Sequence, residues 1–339
     1  MRTRVIGSTD RIRAGRAALL LALALGGCRA GAEQRRTSEP APPAAAAPEA
    51  APASTPPTAG APPAGEAASA LTCTAEPFAS DVPIAEASGA IATTLDGVAT
   101  VMVIADSGHH GAYLLLDPQT GAVRERGQLP LGGPGDDLEG LAVRGDRIWA
   151  LTSAGWLRAW KRRGGARPGF ELVEGPSPLG PAPPSPDAVV CAPERVNCGK
   201  NFEGLCLRPD PARGAASADA CVGMAASKAE GKLYCLVERG GHLQLDLARS
   251  IAVTRPNALA DCYIDGETLW AGANLFDLNR VWRVERWRSP ADAEVVSLGP
   301  LGVGFSEAMA VSGDVLYRFS DTQGAPSLAA KLRCAPSTK

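Results

Sequence analysis

One short pattern recurs five times within residues 71–339 and limits the fold more than any other feature of the chain. It consists of a polar or acidic residue, a small residue and an apolar, strand-like run. The copies are Ser88-Gly89-Ala90-Ile91-Ala92, Glu139-Gly140-Leu141-Ala142-Val143, Glu203-Gly204-Leu205-Cys206-Leu207, Asp261-Cys262-Tyr263-Ile264 and Glu307-Ala308-Met309-Ala310-Val311. They stand roughly 45–65 residues apart, the spacing of one supersecondary unit in a repeat architecture. A turn and a second apolar run follow each copy, at 101–104, 148–151, 233–237, 268–271 and 315–317. A third run usually comes next, at 112–116, 156–160, 242–245 and 280–284. Repeated strand–turn–strand units of this length predict an all-β chain folded as a β-propeller. Abundant Gly (38) and Pro (29) supply the turns that many short strands need. Five copies predict five blades. The long gap before Glu203, with its Pro-rich loop over 176–186, leaves room for a sixth, degenerate one. A β-sandwich is the competing all-β answer, and five copies of one unit argue against it.

The N-terminal part obeys different rules. Arg2, Arg4, Arg11, Arg13 and Arg16 precede an apolar run from Ala17 to Leu25, which is far shorter than the roughly 20 residues a membrane-spanning helix needs. The run ends in Leu25-Gly26-Gly27-Cys28, which resembles the lipobox of bacterial lipoproteins. That resemblance implies a signal peptide over 1–27 and a lipid-modified Cys28 that anchors the chain to a bilayer of the cell envelope. Residues 28–70 are mostly Ala, Pro, Ser, Thr and Glu, with little to bury, so they read as an extended, disordered linker. At about 3 Å per residue, such a linker spans up to on the order of 100 Å.

Nine cysteines are present, and with Cys28 assigned to lipid eight remain for the 71–339 domain. An even number in an exported domain predicts disulfides. Two pairings have a rationale. Cys73 with Cys334 would join the ends of the domain, stapling residues 72–78 beside 331–334 and closing the ring. Cys191 with Cys198 would clip a loop. The other four cysteines leave their connectivity open. No Cys-x-x-Cys pair occurs, and His109, His110 and His242 lack zinc spacing to any Cys.

A formal net charge of -2 gives no electrostatic reason to expect nucleic acid as a partner. Chemistry is expected where strand starts and strand-two ends meet on one face of the ring. Strand starts bring Glu139, Glu203, Asp261 and Glu307. Two residues ahead of the first three starts lie Glu86, Asp137 and Asn201, and strand-two ends bring Asp106, Ser153, Glu238, Asn274 and Asp321. Carboxylates and amides without soft ligands suit a hard cation such as Ca2+, with Glu139, Glu203, Asp261, Glu307, Asp106 and Glu86 as its ligands. The same residues also read as ordinary turn and strand-end chemistry. Ser107-Gly108-His109-His110 reads as a loop, since no third group orients a Ser/His pair, and no Gly-x-Ser-x-Gly elbow exists.

Glu86-Ala87-Ser88-Gly89, Ile104-Ala105-Asp106-Ser107, Leu115-Leu116-Asp117-Pro118-Gln119-Thr120-Gly121, Asp137-Leu138-Glu139-Gly140-Leu141-Ala142 and Asn201-Phe202-Glu203-Gly204-Leu205 follow one another along the chain. This succession resembles the SdiA-regulated propeller family and the esterase-like phytase propellers, best over 86–143 and 201–239. The resemblance implies an exported propeller with acidic, Ca2+-binding residues on one face. Unlike the phytase-like enzymes, this chain has no evident phosphate cradle; Arg239 and Arg255 are the basic residues nearest to that role. The residues therefore leave three functions open. One is a lipid-anchored module that binds an envelope protein, glycan or small molecule through its acidic face. The others are a metal-dependent phosphoesterase or lactonase, and a structural envelope platform.

Overall fold

The computed structural model describes residues 71–165, 168–209, 220–324 and 326–336. The signal peptide, Cys28 and the linker read from residues 1–70 lie outside the described residues. After β1 (Leu71–Glu76) and β2 (Asp81–Ala85), the chain winds through four consecutive four-stranded antiparallel sheets. Blade one is β3 (Ala87–Leu95), β4 (Val98–Ala105), β5 (Ala112–Leu116) and β6 (Val123–Gln128). Blade two is β7 (Leu138–Arg144), β8 (Arg147–Thr152), β9 (Trp156–Arg163) and β10 (Gly169–Pro178). Blade three is β11 (Phe202–Leu207), β12 (Gly223–Ser227), β13 (Lys232–Arg239) and β14 (His242–Ala252). Blade four is β15 (Leu259–Asp265), β16 (Thr268–Ala273), β17 (Arg280–Glu285) and β18 (Glu294–Pro300). The fifth sheet contains β19 (Phe305–Ser312), β20 (Val315–Asp321) and β21 (Pro326–Pro336), and from the other end of the domain β1 and β2 both pair with β21.

The first strands pack side by side, β3 on β7, β7 on β11, β11 on β15, β15 on β19 and β19 back on β3. The ring is therefore closed with five blades, and the stretch before Glu203 forms loops rather than a sixth blade. Because the first strands are covered on both faces, they lack polar alternation; β11 is buried at every position. Apolar side chains fill the wedges between blades, among them the fully buried Trp160 and Trp287.

Closure follows the predicted route. Residues 71–76 of β1 pair antiparallel with 331–336 of β21, setting Cys73 opposite Cys334, and the two form a disulfide. Cys191 and Cys198 clip the loop ahead of blade three. The pairings left open by sequence are Cys206–Cys262, which ties β11 to β15 between neighbouring blades, and Cys221–Cys235 within blade three. Four disulfides fit an oxidising compartment outside the cytoplasm. Among the described residues no helix is long and apolar enough to cross a membrane.

One strand assignment changes. The run 233–237, expected as the second strand of its blade, belongs to the third, and 242–245 to the fourth. The true second strand is Gly223–Ser227, brought in after a long excursion from Leu207. Glu238 is thus the penultimate residue of a third strand, and Lys228 takes the strand-two end.

Candidate cation site at the channel mouth

Each first strand slips by one residue against its partner at the same place. The register breaks at 87/89, 138/140, 202/204, 259/261 and 306/308, leaving Ser88, Glu139, Glu203, Ala260 and Glu307 as the extra residues. A β-bulge of this kind re-aims one side chain out of the alternating pattern. Ser88, Glu139, Glu203 and Glu307 are all buried by it at the top of the central channel.

The residue after the bulge explains the small member of the repeated pattern. A Cβ on Gly140 would fall on the Leu205 backbone nitrogen of the next blade, and one on Gly204 would come within 2.7 Å of Cys262 N. Glycine lets neighbouring first strands approach this closely. In blade four the same position holds Asp261, one step past the bulge. Its Oδ2 accepts from Met309 N–H at 2.6 Å and its Oδ1 from Cys262 N–H at 2.6 Å. Both oxygens therefore serve the backbone, so Asp261 stitches β15 to β19 instead of joining the other acids. Burial pushes its carboxyl well above the usual range, although these two donors and Arg318 oppose that.

The second ring comes from the ends of the second strands: Asp106, Ser153, Lys228 and Asn274, each one residue past its strand, and Asp321, the last residue of β20. In the first four blades the backbone amide of this residue is anchored to the residue before the first strand of the same blade. The bonds are Asp106 N to Glu86 O (2.9 Å), Ser153 N to Asp137 O (3.3 Å), Lys228 N to Asn201 O (2.8 Å) and Asn274 N to Ala258 O (2.9 Å). Three sets of residues from separate stretches of each repeat are thus held around one mouth.

Two clusters form there. Between blades one and two, Asp106, Asp137 and Glu139 each place a carboxylate oxygen within 4.8 Å of the others. Ser153 Oγ donates to Asp137, and Ser107 N–H donates to Asp106. Burial, and then the charge of Asp106, push Asp137 up to about 7 against the Ser153 hydrogen bond. Burial and the Glu203, Asp106, Asp137 and Glu307 carboxylates push Glu139 well above its ordinary value, and burial also raises Asp106. On the far side, Lys228 Nζ donates to Glu203 Oε2 at 3.0 Å and to Glu307 Oε1 at 2.8 Å. Burial opposes the Lys228 charge, but the two carboxylates more than offset it and hold the amine protonated. Burial pushes Glu203 up to about 8 despite this partner, and raises Glu307. Glu203 Oε1 is buried and has no hydrogen-bond partner.

Of the six predicted ligands, then, Asp106 and Glu139 come together, joined by Asp137. Glu203 and Glu307 share Lys228. Glu86, with its backbone in the left-handed region at φ 53°, accepts from His109 Nε2 at 2.7 Å beside the mouth. The Ser107–His110 loop leans on Asp136, which accepts from Gly108 N–H at 3.2 Å, and makes no Ser/His pair. Lys228 is the residue that sequence reasoning missed. Its strand, Gly-Met-Ala-Ala-Ser, lacks the β-branched and aromatic residues that mark a strand. Below the ring the channel is crossed. Tyr263 of β15 reaches the first strand of blade one, where its hydroxyl donates to Ala92 O (2.9 Å) and accepts from Ala92 N–H (3.3 Å). A separate cavity of about 170 Å³, lined by Thr93, Val143, Leu207 and Asp265 among others, opens beneath it.

No protein-family model matches the chain, and no curated protein matches it. Solved structures with a similar chain path include the PQQ-bound aldose sugar dehydrogenase of Streptomyces coelicolor, at 14% identity and TM-score 0.45, covering 79% of this chain and 99% of that one. The glutaminyl cyclase of Myxococcus xanthus gives 14% identity and TM-score 0.43, covering 78% and 97%. BamB from Moraxella catarrhalis gives 15% identity and TM-score 0.33, covering 72% and 59%.

Proposed function

We propose that this chain is an exported propeller, anchored to an envelope membrane through Cys28, whose acidic mouth binds an envelope or extracellular ligand through a bound divalent cation. The observation that carries the reading is the trio Asp106, Asp137 and Glu139, the last two buried and Asp106 half-buried, with three oxygens close enough for one ion. The ammonium at this mouth, Lys228, is already committed to Glu203 and Glu307. Oxygen-only donors suit Ca2+ or another hard cation. The loop after Asn274 supports a binding role, because on the same face it exposes Leu275, Phe276 and Leu278 by 53%, 54% and 63%. Apolar side chains grouped beside a polar site are typical of contact surfaces. The Ala/Pro-rich linker, if extended, suits reaching a partner away from the bilayer.

Thermal melts of the full chain in EDTA and then in Ca2+ test the cation. A ligand at a hundredfold excess over its dissociation constant stabilises the folded form by about 2.7 kcal/mol. The melting temperature is expected to rise with Ca2+, and Asp106→Asn, Asp137→Asn and Glu139→Gln are each expected to abolish the rise. Superimposed wild-type curves would reduce the acids to strand-end chemistry and favour a structural platform.

A metal-dependent hydrolase is the second reading, favoured by the free Oε1 of Glu203. A carboxyl raised to about 8 is suited to accept a proton from a cation-activated water. That reading requires turnover of a phosphoester or lactone that EDTA removes; binding without such turnover would reject it.

A further inference from the structure

The ends of the five second strands carry Asp106, Ser153, Asn274 and Asp321 in four blades, all with side-chain oxygens, and Lys228 in the remaining one. Lys228 does not turn outward. Only 17% of the side chain is exposed, and Nζ sits between Glu203 Oε2 and Glu307 Oε1 at 3.0 and 2.8 Å. A point between two buried carboxylates from non-adjacent blades is where a cation would sit, and an ammonium is a compact, three-donor cation. Glu203 keeps a second, unpartnered buried oxygen, Oε1, and Asp321 is close enough to Glu307 to act on it electrostatically. Donors for an ion therefore remain around the position that Nζ fills.

We propose that the mouth contains two cation positions, and that Lys228 permanently fills the one between Glu203 and Glu307 with its own ammonium, limiting the site to one exchangeable metal ion. The inference rests on the reading of Asp106, Asp137 and Glu139 as a cation site only for the first position; the second stands on the Lys228 geometry. Removing the ammonium leaves Glu203 and Glu307 buried without a positive partner, an arrangement relieved either by uptake of protons or by entry of another cation, and saturating Ca2+ favours the second.

The test counts Ca2+ bound to the full chain by native mass spectrometry and equilibrium titration. Wild type and Lys228→Arg are expected to bind one ion. Lys228→Met, which keeps the stem and removes the charge, is expected to bind two, and adding Asp106→Asn to it should return the count to one. If Lys228→Met destabilises the fold, Ca2+ should raise its melting temperature more than it raises that of wild type. An unchanged count with an equal thermal shift would overturn the proposal. Wild type binding one ion and Lys228→Met also one would sink this inference and leave the first cation site intact. Wild type binding none and Lys228→Met one would do the reverse.

Discussion

Gly140 shows how much one missing atom decides. A Cβ there would meet the Leu205 nitrogen and the Gly204 backbone, which belong to the next first strand and cannot swing aside. Gly140→Ala should therefore lower stability by about 3 kcal/mol, the upper end of the usual range for overpacking. Gly164→Ala, with nothing within 4 Å, should shift stability by less than about 0.5 kcal/mol, so urea melts of the two variants separate crowding from helix or strand propensity. The same residues show what was legible beforehand. The Glu-Gly pairs at 139 and 203 and the Glu-Ala pair at 307 revealed the repeat, and with it that these three glutamates start equivalent strands. They did not reveal that the acid is the extra residue of a bulge, because a bulge leaves no mark beyond the glycine that tolerates it. Asp261 was aligned with those glutamates for that reason, although it occupies the glycine's position and spends both oxygens on backbone N–H groups.

At the scale of the strand, propensity separated the visible elements from the hidden one. Val-, Ile- and Trp-rich runs such as Ile148–Leu151 and Arg280–Val284 declared themselves, and the two-residue turns between first and second strands marked their ends. β12 is held in place by pairing with β11 and β13 and not by its own Ala-rich composition, so no local signal could announce it or the lysine that follows. β1 depends on tertiary context in another way, since its partner strand lies at the opposite end of the domain. The Cys73–Cys334 bond spans a sequence separation of 261 residues. Removing so long a cross-link frees the unfolded chain and should reduce stability by about 4–5 kcal/mol. Denaturant unfolding of a Cys73→Ser, Cys334→Ser double variant checks this; a change below about 1 kcal/mol would mean that β1 pairing alone closes the ring.

The molecule as a whole should carry the electrostatic cost of its mouth. Asp137 and Glu203 are pushed up to about 7 and about 8, and Glu139 and Glu307 also lie above their usual range. The folded state consequently holds protons that the unfolded state has released between about pH 4 and about pH 8. Stability is greatest at the acidic end of that window and falls as pH rises through the folded values. In EDTA, the melting temperature at pH 8 is therefore expected to lie below that at pH 5.5, and saturating Ca2+ should narrow the difference. A higher melting temperature at pH 8 in EDTA would contradict the burial of these carboxyls.

Tyr263 gives this mouth a direction in time. The Tyr263 hydroxyl reaches across the channel from blade four to blade one, which narrows the way out at the end opposite the acids. If the acidic mouth is the only way in and out, traffic through it is last in, first out. On the proposed reading, an ion among Asp106, Asp137 and Glu139 would arrive before a ligand that covers it and would stay until that ligand departs. Bound ligand should then slow the escape of the metal to its own rate of departure, so that a chelator added from outside would act as a clock for how long each ligand stays.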